Sequence, residues 1–401
     1  MLAHTPFRVL MLSHSVYIRD TRIRRLAEYL GDEGHFVDVI CLASDTGEIQ
    51  SPHPRVKVYP LPVSRHRKAG LLHVLEWVLS CVMMFLFTCW LDLKYHYHLI
   101  HTHNMPDFIV FCALFPRMRG CPVILNIHDV TPQLARSKLG VTEHDPLIRI
   151  LSFVEMVSIK FSTHVITETP AAEKKLISRG APPKKITVVM NAADPRAFPP
   201  KAANDDSLPG EGNFTLLYVG TVAARYGLPV AVKALPLLQA AIPDIRLKIV
   251  PKVRDEGKGL DDLLLLAKHC GVAGLVEIGE PVPLDRMPGI MKQAHIGVYP
   301  AIQDCHMDVS PSLKIAEMVN MGLPIAATGL SWLEDLYGSD SIAFFPSGDH
   351  EALAERVLDL YRSPEKRLRL TKSAVNRGAA VSWEAQYEIY RKLVDSLVKH
   401  F

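Results

Sequence analysis

Short apolar runs alternate with helical patterns along the first half of the chain. The runs lie at 7–13, 36–43, 98–102, 122–127, 163–167 and 186–191, and an amphipathic pattern follows the first run, from Asp20 as the expected N-cap to about Glu33. Mostly apolar strands that alternate with helices are typical of parallel sheets covered on both faces. This half therefore predicts a doubly wound α/β domain.

The second half repeats the pattern after a break. Residues 192–213 contain four prolines and no apolar periodicity, which predicts a linker, and apolar runs resume at 214–220, 246–250, 275–279, 295–300, 323–328 and 341–345. We expect two doubly wound, Rossmann-like domains that face each other across a cleft, with boundaries at 1–195 and 196–383. Ligands of such sheets bind beyond the carboxyl ends of the strands.

One helical segment is unusually apolar. Residues 77–91 carry no charge, and Arg65, Arg67 and Lys68 precede them. The stretch is shorter than the roughly 20 residues that a spanning helix needs. Two interpretations stay open. The segment could be a buried core helix, or it could lie in the membrane interface with the three preceding basic residues on anionic headgroups, so that 65–93 contacts the membrane surface.

Composition and charge narrow the class of protein. The chain has 48% hydrophobic and 22% charged residues, which indicates a folded globular protein, and a net charge of +3 gives no general attraction to nucleic acid. The seven cysteines are scattered, as in reduced cytosolic proteins, and the N-terminus does not resemble a signal peptide, so we expect a cytoplasmic location. Dinucleotide-binding, P-loop and nucleophile-elbow motifs do not occur.

The stretch 310–328 carries the clearest chemical signal. Ser310 as N-cap and Pro311 as first helical residue predict a helix start, so the amides of Ser312 and Leu313 would lack partners inside the helix. Such amides form an anion site suited to phosphate. Glu317 shares the face of Leu313, about 6 Å along the axis, where its carboxylate could accept both hydroxyls of a ribose. The alternative is an ordinary capped helix with an exposed glutamate.

At this point the sequence resembles a known family. Six motifs are similar, in order and spacing, to those of the retaining glycosyltransferases of family 4, which have the GT-B fold. They are SPSLKIAE (310–317), GTVAARYGL (220–228), HTHNMPD (101–107), ILNIHD (124–129), VITETPAAEKKLI (165–177) and VVMNAADPRAF (188–198). The resemblance covers nearly the whole chain. It implies an enzyme of the hexosyltransferase class in polysaccharide biosynthesis, and a last helix (384–401) that packs back on the N-terminal domain.

The resemblance also implies how the donor is held. A nucleoside-diphosphate sugar, with UDP, GDP or dTDP as the nucleotide, would bind mainly to the C-terminal domain, with no metal ion or other cofactor. Glu317 would hold the ribose and the Ser312 and Leu313 amides the diphosphate. Arg225 and then Lys252 would supply the positive charge for the leaving group, with Gly220 and Asp308 also at the donor.

The N-terminal domain would bind a glycan or lipid-linked acceptor. By resemblance, His128 lies beside the transferred sugar, and the retaining mechanism is a same-face substitution in which the departing phosphate oxygen helps to remove the acceptor proton. The loop 14–22 replaces the Gly-Gly loop that is common in the family. Asp20, Arg22 and His103 are the candidate acceptor contacts, although Asp20 could equally be an N-cap alone.

Two further departures from the family pattern concern the donor. An acidic residue often stands eight positions before the ribose glutamate, where this chain has Val309, with Asp308 adjacent. Basic residues often follow the glycine that corresponds to Gly220, directly and six positions later, where this chain has Thr221 and Tyr226. Arg225 would be an off-register replacement.

Three other functions stay open at this level. His101 and His103 could form the metal-ligand pair of a hydrolase, although side chains at alternate strand positions commonly share a face. A nucleotide-sugar 2-epimerase of the same fold could use the same phosphate site. Val309 and Thr221 could also indicate a degenerate transferase that serves as a binding subunit.

Overall fold

The computed structural model describes residues 5–44, 51, 53–63, 71–202, 205, 207, 212–252, 258–399 and 401. They form two compact units, one of Met1–Met190 with Tyr387–Phe401 and one of Asn191–Gln386. Each unit contains one parallel sheet with helices packed on it, which confirms the predicted α/β class.

The first unit contains a seven-stranded parallel sheet in the order β3-β2-β1-β4-β5-β6-β7. Its strands are β1 (Arg8–Val16), β2 (Phe36–Leu42), β3 (Val56–Leu61), β4 (Leu99–His103), β5 (Val123–Ile127), β6 (His164–Thr167) and β7 (Ile186–Val188). Its helices are α1 (Thr21–Asp32), α2 (Leu71–Tyr95), α3 (Leu114–Met118), α4 (Thr131–Leu139), α5 (Pro146–Phe161) and α6 (Pro170–Ser178). The strand order reverses between β1 and β4, so a ligand is expected beyond the carboxyl ends of these two strands.

The second unit contains a six-stranded parallel sheet in the order β10-β9-β8-β11-β12-β13. Its strands are β8 (Thr215–Val219), β9 (Arg246–Val250), β10 (Val276–Ile278), β11 (Ile296–Tyr299), β12 (Ile325–Thr328) and β13 (Ala343–Phe345). Its helices are α7 (Leu228–Gln239), α8 (Lys258–His269), α9 (Met287–Gln293), α10 (Leu313–Asn320), α11 (Ser331–Tyr337), α12 (His350–Arg362) and α13 (Pro364–Gly378). Here the order reverses between β8 and β11.

Both faces of each sheet are buried against apolar residues, which explains why most strands are predictable from apolar runs in the sequence. Val9, Leu10, Met11 and Leu12 of β1 have no exposed surface, and the strands of the second unit lie between two buried apolar clusters. A parallel strand covered on both faces is apolar at successive positions.

Three local expectations need correction. The sequence did not predict β3, an edge strand in which Lys57 and Pro60 interrupt the apolar pattern. The helix expected from Pro106 begins as a 3-10 helix over Asp107–Ala113. The linker expected at 192–213 begins inside the second unit, because Phe198 is buried in its core.

The last helix, α14 (Trp383–Lys399), contacts the first unit through two tyrosines. The Tyr390 hydroxyl hydrogen-bonds Nδ1 of His101 at 3.0 Å, and the Tyr387 hydroxyl donates to Glu33 at 2.9 Å. Burial raises the pKa of Tyr390, so its phenol remains neutral at physiological pH. The helix is therefore held to the first unit by polar contacts in a largely apolar interface.

Tyr390→Phe should destabilise the first unit. The substitution keeps the ring but leaves Nδ1 of the buried His101 without its hydroxyl partner, which costs about 1–3 kcal/mol. Urea unfolding followed by circular dichroism measures the change, with Tyr361→Phe of the second unit as a control. An unchanged transition in Tyr390→Phe would contradict this account of the helix.

Candidate functional site

The first unit gathers polar side chains at the carboxyl edge of its sheet. His103 ends β4, His128 follows β5 and Glu168 follows β6, while Asp20 and Arg22 lie after β1. Neighbouring parallel strands end at the same edge, and β1 and β4 pair in register as far as Ser13 and His103. The fold thus brings together residues that are far apart in the sequence.

A chain of hydrogen bonds fixes the imidazole of His128. Its Nδ1 lies 2.7 Å from Oε1 of Glu168, and its Nε2 lies 3.0 Å from Nδ1 of His103. An ionised carboxylate can only accept, so Nδ1 of His128 carries the proton and its Nε2 accepts from Nδ1 of His103. The backbone N–H of His128 also donates to Asn104, at 2.8 Å. Both ring nitrogens of His128 are therefore engaged within the first unit.

The neutral state of the neighbouring imidazoles agrees with this arrangement. Burial, with a further effect of His128, lowers the pKa of His101 to about 3. Burial and the nearby His101 and His128 also hold the pKa of His103 well below its usual value. His103 is only 1% exposed, so its expected direct contact with an acceptor does not fit the structure. It supports His128 instead.

Asp20 and Arg22 form an ion pair beside this chain. Asp20 is at the N-cap position of α1 but makes no capping hydrogen bond, and its Oδ1 lies 3.3 Å from Nε of Arg22. Burial opposes the charge of Asp20, yet Arg22 and His128 lower its pKa to about 2. Nη1 of Arg22 also lies 3.8 Å from Glu168. Asp20 is thus more than a cap, because its carboxylate orients a cation at the edge of the sheet.

A metal site is not favoured by the arrangement of His101 and His103. Their ring centroids lie 4.1 Å apart with the planes tilted by 31°, while Nδ1 of His101 bonds to Tyr390 and Nδ1 of His103 to His128. Among the residues that the structure describes, no group of three or more His, Cys, Asp or Glu could hold a metal ion.

In the second unit, α10 begins later than expected. Its N-cap is Ser312 rather than Ser310, and its first residue is Leu313, so Pro311 lies outside the helix. The Tyr299 side chain hydrogen-bonds the Ser312 side chain, and the Ser312 carbonyl accepts from the Ile315 amide. The Leu313 amide remains in the first turn, where the helix itself offers no acceptor. Glu317 lies one turn further along and is 9% exposed.

A lysine of the same turn reaches the end of β8. The Lys314 side chain lies against Gly220, where a Cβ atom would collide with it, and Gly220 has a φ of +124°. Its Nζ is 4.3 Å from the ring centroid of Tyr226 and 5.4 Å from that of Tyr218. The structure thus places an ammonium group, rather than only amides, beside the strand end.

The remaining donor candidates lie on separate loops of the second unit. Gly220 follows β8 and its amide donates to Val250 of β9 at 2.9 Å, so Lys252 follows the neighbouring strand end. Arg225 lies in the 3-10 helix Ala224–Tyr226. Among the described residues, no side-chain hydrogen bond or ion pair joins Arg225 or Lys252 to α10.

Asp308, a candidate donor contact, is hydrogen-bonded to two neighbouring residues of the second unit. Its Oδ1 accepts from the backbone N–H and the hydroxyl of Ser331 at 3.2 and 3.3 Å, and its carboxylate also accepts from Gln303. These bonds hold the carboxylate at the N-terminus of α11. To contact the donor, Asp308 would have to break its hydrogen bonds with Ser331 and Gln303.

Sequence reasoning missed two residues of these sites, Glu168 and Lys314. Both stand within the quoted motifs, but the contacts of Glu168 with His128 and Arg22 depend on the pairing of strands. Lys314 did leave a signal. A lysine in the first turn of a helix opposes the helix dipole, which is unfavourable unless the cation serves another purpose.

Two family models match the units in turn. The glycosyl transferase 4-like domain matches residues 20–192, and the glycosyl transferases group 1 match residues 213–363. A relative of similar length is a D-inositol 3-phosphate glycosyltransferase from Pseudarthrobacter chlorophenolicus. It is 24% identical over 396 residues, which cover 94% of this chain and 91% of the relative.

Solved structures with the GT-B fold resemble the chain over nearly its whole length. Sucrose-phosphate synthase from Thermosynechococcus elongatus has a TM-score of 0.77 at 18% identity and covers 97% of this chain and 100% of its own. HepE from Anabaena, solved in complex with UDP, has a TM-score of 0.72 at 14% identity and covers 98% and 100%. WaaG, involved in lipopolysaccharide biosynthesis, has a TM-score of 0.67 at 15% identity and covers 97% and 99%.

The hydrogen-bond chain predicts the protonation of individual nitrogens. In protein with 15N-labelled histidine, NMR should show the proton on Nδ1 of both His128 and His103. Glu168→Leu removes the acceptor that fixes this tautomer, so the His128 and His103 signals should shift toward mixed tautomers. The control Glu143→Gln, on an exposed loop, should leave them unchanged. Nε2-protonated His128 in the wild type would contradict the assignment.

Proposed function

Since the chain belongs to the glycosyltransferases of family-4 type, we propose that it is a retaining hexosyltransferase. It moves a sugar from a nucleoside-diphosphate sugar to a glycan or lipid-linked acceptor in polysaccharide biosynthesis, without a metal ion. The observation that carries this proposal is the Lys314 ammonium beside Gly220, next to the amides that open α10. A cation and helix-terminal amides together suit the two linked phosphates of a donor.

In this proposal the diphosphate and the ribose of the donor contact α10 and two loops of the second unit. The Leu313 amide and the Lys314 ammonium bind the diphosphate, with the Ser312 amide beside them. The Glu317 carboxylate accepts the ribose hydroxyls from one turn further along α10. Arg225 and Lys252 add positive charge from the loops after β8 and β9, where negative charge develops on the leaving group.

Tyr226 occupies the position six residues after Gly220 where the family often has a basic residue, and we propose that it compensates for the missing charge. Its ring carries the ammonium of Lys314 at 4.3 Å. A cation is attracted to the face of an aromatic ring within about 6 Å. In this chain the positive charge thus comes from Lys314 of α10. Tyr226, at the position where family members often have a basic residue, stabilises that charge.

The first unit receives the acceptor and the transferred sugar. Arg22, oriented by Asp20 and Glu168, is the cation available for a polar acceptor. His128 orients the sugar: its Nε2 would accept a hydrogen bond from a sugar hydroxyl in place of the present one from His103. The bond from the anomeric carbon to the phosphate oxygen breaks. The acceptor oxygen bonds to that carbon on the same face, and its proton passes to the departing phosphate oxygen.

We place this reaction in the cytoplasm, on the inner face of the cell membrane. The segment 65–93 is the proposed contact. Its basic residues Arg65, Arg67 and Lys68 lie outside the described part of the chain. Within it, Trp77–Tyr95 is long and apolar enough to cross a membrane by length and composition, and 28% of this stretch is buried in the protein.

A donor screen tests the proposal. Saturation-transfer NMR with UDP-, GDP- and dTDP-sugars should show signals from the base and ribose of one nucleotide. HepE from Anabaena was solved with UDP-glucose, which makes UDP-sugars the first choice. Absence of signals from all of the nucleotides would contradict the assignment. Rapid epimerisation of a donor without acceptor would indicate a 2-epimerase instead.

Glu317→Ala should weaken donor binding. The substitution removes a carboxylate that accepts two ribose hydroxyls, and each hydrogen bond to a charged group contributes about 1.5–3 kcal/mol. We therefore expect the Kd for the selected nucleotide, measured by calorimetry, to rise at least about tenfold. Glu355→Ala, at an exposed position of α12, is the matched control. Equal Kd values for the wild type and Glu317→Ala would exclude the ribose contact.

Arg225→Ala should mainly lower kcat, and Lys314→Met should raise KM and lower kcat together. Arg225 is proposed to act on charge that develops during the reaction, and removal of such a group costs about 100-fold in rate. Lys314 is proposed to contact the diphosphate already in the ground state. Steady-state kinetics with the identified donor separate the two. Wild-type kinetics in both variants would break the proposed phosphate site.

A further inference from the structure

The outward side of α2 is an exposed apolar stripe. Six large side chains with the spacing of one broad helix face are between 48% and 64% exposed: Val78, Leu79, Val82, Leu86, Trp90 and Leu93. The opposite side of the helix is packed, because Met84 and Leu91 are fully buried and Asp92 binds Arg119 at 2.8 Å. The helix therefore lies along the first unit, which argues against a transmembrane span.

Two neighbouring helices extend the stripe. The connections from β3 to β4, β4 to β5 and β5 to β6 progress in one direction across the sheet, so right-handed crossovers place α2, α3 and α5 in one layer. Phe111, just before α3, packs against Phe161 of α5 at 5.1 Å, and Cys112 Sγ donates to the Cys81 carbonyl of α2. Large apolar side chains on the added helices are also exposed, namely Leu114 and Met118 on α3 and Leu147, Ile150 and Phe153 on α5.

Among the side chains of this layer that the structure describes, the charges at the surface are all positive. Over 77–95, 107–119 and 146–161 the only acidic residues are Asp92, Asp107 and Glu155, and all three are buried. The basic residues of the same segments reach solvent: Lys94, Arg117, Arg119, Arg149 and Lys160. Arg119 pairs with the buried Asp92, while Lys94 lies over the rings of Trp90 and Tyr95 at 5.5 and 5.0 Å.

We propose that the outer face of α2, α3 and α5, here called the three-helix face, docks on an anionic lipid bilayer. Exposed leucine, valine, phenylalanine and tryptophan would enter the boundary between headgroups and acyl chains. Lysine and arginine at its margin would reach anionic headgroups with their charged ends. A second copy of the chain suits this surface less well, because pairing of two such faces would bring like charges together.

The position of the three-helix face indicates the kind of acceptor. At the N-terminal end of its described part, Trp77 lies 6.2 Å from the ring of His14, and Nε2 of His14 is 3.3 Å from the Ser80 hydroxyl. His14 belongs to β1, whose carboxyl end leads to Asp20 and Arg22. A docked bilayer would thus adjoin the proposed acceptor site. The inference about the acceptor rests on the proposed function. It favours an acceptor that is anchored in the bilayer by a lipid and has a polyhydroxylated head group.

Vesicle sedimentation tests the docking without any substrate. The full chain should sediment with vesicles of equal parts phosphatidylcholine and phosphatidylglycerol in low salt, and much less with phosphatidylcholine alone. Leu86→Glu should weaken partitioning at least about tenfold, since it removes an exposed leucine that would enter the bilayer and adds a charge that anionic headgroups repel. Leu265→Glu, at a similarly exposed position of α8 in the second unit, should bind like the wild type.

Three outcomes would overturn the proposal. The first is a wild type that stays in solution with both kinds of vesicle. The second is sedimentation that neither Leu86→Glu nor salt reduces. The third is a concentration-dependent dimer that Leu86→Glu abolishes while lipid binding is absent, which would identify a second copy as the partner. Nucleotide binding by Leu86→Glu, followed by saturation-transfer NMR, shows whether the variant is folded and separates failure of docking from failure of the proposed transferase function.

Discussion

The contact on which the proposed chemistry most depends is that of Lys314 with Gly220 and Tyr226. Gly220 directly follows β8 in a backbone conformation that favours glycine, and its missing side chain leaves the space that Lys314 occupies. Tyr226 supports the ammonium from the other side. The parallel sheet supplies the strand end and α10 supplies the amides, and in the proposed function Lys314 joins the two into one phosphate site.

In the first unit, the corresponding constraint is the neutral imidazole pair. Burial keeps His101 and His103 uncharged, and the Glu168 carboxylate fixes which nitrogen of His128 carries the proton. Positive charge at this edge is left to Arg22, which Asp20 and Glu168 orient. The unit therefore holds one oriented cation and one imidazole with its proton on Nδ1, which we propose contact the acceptor and the transferred sugar.

Much of the fold could be predicted from the sequence, because strands of a buried parallel sheet are apolar at successive positions. β1, β5 and β8 are of this kind, whereas the edge strand β3 contains Lys57 and Pro60 and was not predicted.

The helix start predicted at Ser310 and Pro311 is wrong by two residues, since Ser312 is hydrogen-bonded to Tyr299 and takes the N-cap position. Glu168 could not be placed from the sequence, because its partners His128 and Arg22 follow other strands of the sheet. The apolar segment 77–91 is a helix with one packed side and one exposed apolar side, so it is not the buried core helix of the first interpretation, and its contact with a membrane interface stays a prediction.

A crystal structure of the protein with UDP tests the central claim most directly. The account predicts diphosphate oxygens within hydrogen-bond distance of the Leu313 amide and of Nζ of Lys314, with the ribose hydroxyls on Glu317. A nucleotide bound elsewhere, with the Lys314 side chain still packed on Tyr226 and no phosphate beside it, would contradict the account.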